Sequence, residues 1–325
     1  MNGDWRPAAS LRVLRRRAAM LAEVRAFFAA RRVLEVETPL LSAAAASDPA
    51  VESFVTCYAG PGVASGCSMY LNGSPEFAMK RLLAAGSGPI YQICKAFRQG
   101  EAGRHHNPEF TLLEWYRPGF DHRLLMDEVE ELLRVLLPDL GGGERLSYRE
   151  AFRRHAGIDP LTAEEQELAK CAASHGLGGV AGPDGMGVDG WLDLLMSHLV
   201  QPRLGREGPC FLFDYPASQA ALARIRPGTP PVAERFELFL RGVELANGFH
   251  ELLDHEEQRR RFDADLQRRA RAGQPLPPLD RNLLAALSHG LPSCSGVALG
   301  LDRVLMLMCG AEEIGEVLAF PIGRA

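Results

Sequence analysis

A chain of 325 residues with 46% apolar composition can bury a large core without a disulfide or metal staple. Its net charge of −5 argues against an extended nucleic-acid surface, which needs many cations against phosphates. Seven scattered cysteines (57, 67, 94, 171, 210, 294 and 309) with no C-x-x-C pair fit a reduced, cytosolic setting, and no apolar run is long enough to cross a membrane.

In chain order, MNGDWRPAAS lacks the apolar segment of a signal peptide. Leu14, Ala18, Leu21, Val24 and Phe28 then recur at three and four residues, which predicts an amphipathic helix from Leu11 to about Arg32. Leu34 and Val36 alternate with Glu35 and Glu37 in a strand stopped by Pro39. Residues 42–68 read as loop, with SAAAASDPA expected to be mobile. After a strand ending at Met69–Leu71, Ser74-Pro75-Glu76 opens a helix, with Ser74 as N-cap and Pro75 at the first helical position.

The stretch from Tyr91 to Pro118, YQICKAFRQGEAGRHHNPEFTLLEWYRP, reads as strand, polar loop, strand. Arg98 ends the first strand, and Arg104, His105, His106 and Asn107 lie in the loop. A cationic strand end followed by a loop of donors suits a polyanion, and Phe110 offers a flat face for a base; a solvated hairpin with scattered charges is the plainer alternative. Further helices are expected over 121–137, 148–155 and 163–174, the last opened by a capping box at Thr162–Glu165. GLGGVAGPDGMG (176–187) has the glycine content of a dinucleotide loop but no strand before it, so it reads as a surface connection, and 140–210 as a helical insertion.

CFLFDYP (210–216) is a strand, and ERFELFLRGVELANGFHEL follows after a proline-rich turn. Glu237 and Glu244 are an odd number of residues apart, so one regular strand would place them on opposite faces. A bulge or turn near Arg241-Gly242 would bring them together, and two hard oxygen ligands suit Mg²⁺, though a solvated edge strand has the same pattern. His250-Glu251…His255 is one residue off a zinc-protease spacing and lies across a break, so that reading is rejected. Asp254-His-Glu-Glu257 caps an arginine-rich helix running to about Ala272, read as a solvated face. In SCSGVALGLDRVLMLMCG, Gly296 and Gly300 suggest close strand–helix packing, and Arg303 falls in a first helical turn, where a cation opposes the helix dipole.

Three of these stretches resemble one family. FRQGE…RHHNPEF followed by EW is similar to motif 2 of the class II aminoacyl-tRNA synthetases of the lysyl type. VELANGFHEL is similar to that branch's metal and amino-acid segment, and G-V-A-L-G-L-D-R to motif 3. The helix, strand and proline near the start resemble motif 1, which builds a dimer interface. The resemblance runs from Leu11 to the C-terminus and is closer still to the truncated lysyl-type relatives that attach (R)-β-lysine to elongation factor P.

That resemblance implies an α+β catalytic domain, an antiparallel sheet flanked by helices, spanning 1–325 as a single unit. It implies ATP as co-substrate, with Arg98 on the α-phosphate, Arg303 on the terminal phosphate and against the adenine, and Phe110 on the base's other face. Gly100, Glu101, Asn107, Leu245 and Gly300 complete the ATP positions, and Glu237 and Glu244 hold Mg²⁺. Glu76 meets the amino acid's amine and Glu251 its side-chain ammonium, with Ser74, Pro75, Tyr116 and Ala298 around them. In one departure, Gly100 stands where the branch has glutamate, with Glu101 next. In another, Ala298 replaces the usual glycine, and its extra methyl favours a β-amino acid.

The chain reaches the motif 1 helix almost at once, so no anticodon-binding domain is expected, and the expected acceptor is a lysine of elongation factor P rather than tRNA. Two other readings stay open: a free-standing synthetase acylating tRNA or another amine, and a catalytically silent regulatory paralogue.

Overall fold

The computed structural model describes residues 5–62, 66–179 and 186–325. Half of the glycine-rich stretch at 176–187, the segment 180–185, lies outside them. The elements in order are α1 (Leu11–Ala30), β1 (Leu34–Glu35), β2 (Leu41–Ser42), β3 (Val55–Tyr58), β4 (Cys67–Leu71), α2 (Glu76–Ala84), β5 (Ile90–Phe97) and β6 (Glu109–Pro118). Next come α3 (His122–Leu136), β7 (Glu144–Ser147), α4 (Tyr148–His155), α5 (Glu165–Ser174), α6 (Gly187–Leu195), β8 (Cys210–Pro216), β9 (Ile225–Arg226), β10 (Val232–Leu240) and β11 (Val243–His250). The last are α7 (His255–Arg271), α8 (Arg281–His289), β12 (Cys294–Gly300) and α9 (Leu301–Cys309). The chain divides into two units, residues 1–119 with 253–325, and residues 120–252.

In the first unit β5, β6 and β12 are antiparallel neighbours, β1 lies parallel to β5, and β2, β4 and β3 form a small separate sheet. Its core is aromatic: Phe28 of α1 stacks on Tyr91 of β5 at 4.4 Å and meets Trp115 of β6 edge-on at 5.3 Å. The buried stripe of α1 is Val13, Met20, Val24, Phe27 and Phe28. This rotates the expected face: Ala18 is exposed, because Phe27 and Phe28 together turn the helix toward the aromatic core.

Two expectations fail in this unit. The segment around Ser47 is not a loose loop, since Ala44, Ala45 and Ser47 are buried. Arg269 of α7 donates to the carbonyls of Ser47 (2.9 Å), Asp48 (2.8 Å) and Val51 (2.5 Å), and Ser47 Oγ donates to Asp265 (2.7 Å). The arginine-rich helix is therefore not solvated all round: Arg269 is 3% exposed, and its fork ties the carbonyls of Ser47, Asp48 and Val51 to α7.

In the second unit β10 is flanked by antiparallel β8 and β11, with β9 beside β10 and β7 parallel to β8. Its core packs α4, α5 and α6 against β8 through Tyr148, Phe152, Leu168, Trp191, Leu195 and Tyr215. Among the described residues of 140–210, α4, α5 and α6 supply the expected helices and β7 opens the stretch as a strand. The capping box of α5 sits two residues later than expected, at Glu164 and Glu167, and leaves Thr162 outside the helix. The helix that starts at Asp121 is capped as its sequence suggests, with the Asp121 carboxylate accepting from the amides of Arg123 and Leu124.

Candidate active site

One face of the first unit's sheet collects most of the residues singled out there. Directly opposed residues in an antiparallel ladder share a face, as do residues two apart on a strand. Across β6 and β12, Leu112 opposes Gly300, Glu114 opposes Ala298 and Tyr116 opposes Gly296. Phe110 shares the parity of Glu114 and Tyr116 and opposes Ala96 of β5, two residues before Arg98. Phe110, Glu114, Tyr116, Ala298 and Gly300 therefore line one surface, with Arg98 at its end.

The cationic end comes first. The Arg98 guanidinium lies 5.3 Å from the Phe110 ring centroid and 3.5 Å from Glu101 Oε1, with its side chain about a third exposed. Arg98 Nε is buried without a hydrogen-bond partner among the described residues. Gly100 has φ +83, in the left-handed region where a glutamate would be strained, so the loop turns at this residue and presents Glu101 instead. Arg303 donates from Nε to the His105 carbonyl (3.2 Å) and from its terminal nitrogen to His106 Nε2 (2.7 Å). His106 thus acts as acceptor, and burial, helped by the Arg303 charge, lowers its pKa. The loop carries less positive charge than its sequence suggests. Asn107 is spent inside the protein, donating to the Glu109 carbonyl and accepting from the Ile322 amide. Asp302 anchors the motif 3 turn: buried, it accepts from the Thr111 amide (2.6 Å) and pairs with Arg17 (2.5 Å).

The carboxylate end lies around Ser74. The N-cap of α2 is Pro75, so Ser74 stands one position before the cap it was expected to form, yet its hydroxyl still accepts from the Glu76 amide (3.0 Å). The same hydroxyl donates to Glu114 Oε2 (2.7 Å), while Tyr116 donates to Glu114 Oε1 (2.7 Å). Glu76 is paired with Lys80 at 2.7 Å, whose side chain is 2% exposed. Burial, reinforced by the charge of Glu76, pushes the Glu114 carboxyl up to about 7. Sequence reasoning assigned no role to Glu114 or Lys80. A polar residue at the centre of the otherwise apolar run TLLEWY was the available signal, because a strand buried on both faces tolerates a carboxylate only where it has partners.

In the second unit, β10 and β11 join through a two-residue turn at Arg241 and Gly242, both left-handed (φ 55 and 76). This fits the twist of paired strands. Glu237 opposes Asn247, Phe239 opposes Glu244, and Leu245 is the extra residue of a bulge. The turn puts Glu237 and Glu244 on one face, as expected. The bulge then reverses the parity of the later residues of β11, which brings Asn247, and Glu251 four residues on, to that same face. Leu245 is buried, so its place in the site is that of the residue that shifts the register. Arg235, unforeseen from sequence, shares this face and pairs with Glu237 at 2.5 Å while donating to Asn247 Oδ1 (3.2 Å). Burial works against its charge, but Glu237, Tyr215 and Glu244 outweigh that and raise its pKa. Glu251 is fully buried, bridged to Ala223 just beyond the end of β11.

The two carboxylates of this hairpin are the donor chemistry Mg²⁺ takes, hard oxygens few enough to leave room for water and phosphate.

The chain belongs to the class II tRNA synthetases of the D, K and N type, whose family model matches residues 3–324. Membership implies the catalytic fold of that class and the use of ATP. Within the family, the chain is 53% identical over 324 residues to the elongation factor P–(R)-β-lysine ligase of Yersinia enterocolitica, covering 100% of this chain and 99% of the relative. Proteins of the same name from Klebsiella pneumoniae and Salmonella dublin are 52% identical over the same shares. Among the described residues, no helix is long and apolar enough to cross a membrane.

Proposed function

We propose that this chain activates (R)-β-lysine with ATP and transfers it to the ε-amine of a lysine on elongation factor P. The observation that carries this reading is identity above one half along the entire chain to ligases of that name, with Arg98, Glu237, Glu244, Glu251 and Arg303 all present.

In the first step the amino acid's carboxylate attacks the α-phosphorus of ATP, forming an aminoacyl-adenylate and releasing pyrophosphate. Arg98 holds the α-phosphate and Arg303 the terminal phosphate, so positioning and charge stabilisation supply the catalysis. Glu101, drawn to Arg98, orients that guanidinium in place of the family's glutamate. We assign Glu76 to one amine of a doubly amino substrate and Glu251 to the other, since a buried carboxylate left unmatched is costly. Mg²⁺ bound by Glu237 and Glu244 supplies charge neutralisation on the phosphates. In the second step the acceptor lysine's neutral amine attacks the acyl carbon, AMP leaves, and the nitrogen loses its proton.

Ala298, opposite Glu114, adds a methyl on the substrate face and favours the displaced amine of a β-amino acid. The whole chain serves this one reaction in the cytoplasm, without tRNA. We assign a homodimer to the motif 1 segment, whose Leu11 and Leu34 are 67% and 56% exposed.

The test is ATP–pyrophosphate exchange with (R)-β-lysine, L-lysine or no amino acid, followed by the intact mass of elongation factor P. Exchange favouring β-lysine with a mass gain on the factor is expected. Exchange with charging of tRNA instead would make the chain a free-standing synthetase. No exchange with any amino acid would point to a silent paralogue and make Gly100 the reason.

A further inference from the structure

The second unit contains a second polar centre that the reaction above does not use. His122, the first residue of α3, Glu234 on β10 and His250 at the end of β11 each offer one ligand atom, and these atoms lie within 4.8 Å of one another. The three residues are 2%, 6% and 7% exposed. Local backbone builds the site. Between β8 and β10, Ala233 opposes Tyr215 whereas Phe236 opposes Phe213, so three steps on β10 match two on β8, and Glu234 sits in the resulting bulge. Across from it Asp214 takes φ +58, a conformation unusual for any residue but glycine. Its Oδ1 stands 3.9 Å from His122 Nε2.

Neither ring nitrogen of His122 has a hydrogen-bond partner among the described residues, and neither has Asp214 Oδ1. A buried imidazole facing a carboxylate oxygen at this distance, with neither satisfied, is an arrangement that folding alone disfavours. Burial holds the His122 pKa below its ordinary value despite Glu234 and Asp214. His250 Nδ1 and Glu234 Oε2 are already side by side at 2.8 Å.

We propose that His122, Glu234 and His250 form a binding site for a divalent transition-metal ion of the zinc class, with Asp214 as a fourth ligand. Two imidazoles and one or two carboxylates are a donor set that Zn²⁺ takes readily, whereas Mg²⁺ prefers oxygen alone. The site is thereby distinct in chemistry from Glu237 and Glu244. Charges nearby include Arg224, 3.2 Å from Glu234 Oε2, and Arg226, 2.6 Å from Asp214 Oδ2 and 3.8 Å from Glu234 Oε1, while Arg123 and Asp121 also act on His122. The side chains of Arg224 and Arg226 are 51% and 37% exposed, so both can swing into water when the ion neutralises the carboxylates.

The experiment uses the full chain, stripped with chelator and titrated with Zn²⁺ and, separately, with Mg²⁺, following heat of binding and melting temperature. One Zn²⁺ per chain is expected to bind and raise the melting temperature, with Mg²⁺ unable to displace it. Because outer-shell partners alone change metal affinity about 10–100-fold, His122→Leu should weaken Zn²⁺ binding by more than about 100-fold. Replacing an unpartnered buried imidazole with an apolar side chain of similar size should leave the apo fold intact, and if it does not, Glu234→Gln carries the same comparison. Co²⁺ in place of Zn²⁺ should show ligand-field bands without a thiolate charge-transfer band, which separates this centre from the seven cysteines. Absence of Zn²⁺ binding to the parent chain, equal affinity in the folding variant, or a thiolate band would each overturn the assignment.

Discussion

The two ends of the first unit's site face are built on opposite electrostatic principles. At one end Arg98 and Arg303 stay part-exposed against an aromatic face, a carbonyl and a histidine held as acceptor, with Glu101 3.5 Å from Arg98. At the other, Ser74, Tyr116 and Lys80 surround Glu76 and Glu114 in a buried cluster that raises the Glu114 pKa. A phosphate chain arrives with several charges and needs only exposed cations to meet it. An ammonium is a single compact charge, and selecting it against neutral analogues takes carboxylates removed from water, where an unmatched charge costs several kcal/mol. The cationic end is therefore simple to build and its contacts strong in catalysis, whereas the acidic end gives up stability in exchange for selectivity.

The largest expected effect breaks the cationic end. Arg98→Ala removes a preformed donor to the reacting phosphate, and losing one such donor costs on the order of 10²–10³ in turnover. Pyrophosphate exchange should fall by that factor with the melting temperature nearly unchanged, because Arg98 has little to lose beyond a 3.5 Å contact to Glu101 and the Phe110 face. A loss below about tenfold would remove Arg98 from the chemistry.

Glu251→Gln tests the corresponding acid in the second unit. It keeps the shape and removes the charge, leaving a bound ammonium without its counter-ion, at a cost of about 3 kcal/mol or on the order of 10²-fold. The loss should appear in the KM for the diamine and leave the KM for ATP alone. An equal rise in both would mean that Glu251 shapes the hairpin rather than reads the amine.

These outcomes bear on how much of the molecule was legible beforehand. Arg98, Phe110 and Arg303 stood out because charges and aromatics at strand ends and helix starts have no structural duty there. The hairpin was legible as well: the odd spacing of Glu237 and Glu244 demands a turn, and Arg241-Gly242 can make one. Glu114, Lys80 and Arg235 were not, because each owes its importance to partners brought in by the fold, and no local pattern distinguishes a buried ion pair from a solvated one. Arg269 deceived for the same reason. On an arginine-rich helix any one arginine looks exposed until a distant loop arrives to be held.

A smaller effect sharpens the acidic end through pH. With its carboxyl raised from 4.5 to about 7, Glu114 keeps in the folded chain a proton that the unfolded chain loses near 4.5. The folded state binds more protons across that window, so its stability declines as pH rises from about 4.5 toward 7 and is level above, by at most about 3.5 kcal/mol at about 1.4 kcal/mol per pK unit. Urea unfolding of the parent and of Glu114→Gln at pH 5, 6, 7 and 8 should show this slope in the parent alone. An ammonium beside the cluster favours the ionised form, so diamine affinity should rise over the same window and also flatten in the variant. Parallel stability curves for the two proteins would place the raised pKa elsewhere.

The smallest effect lies at Gly100, where the two ends differ most in what they tolerate. Its φ of +83 with open space around the Cβ position means that a side chain meets backbone strain and nothing else. Gly100→Ala should lower stability by about 1 kcal/mol or less, since the strain of a left-handed alanine can be relieved in a surface loop. Gly100→Glu, which restores the residue type of the wider family, meets the same strain and sets a second carboxylate beside Glu101, so exchange should stay level or fall. A clear gain in exchange would instead mean that the loop readily leaves its left-handed turn, and that the pairing of Glu101 with Arg98 is a substitute inferior to the arrangement it replaced.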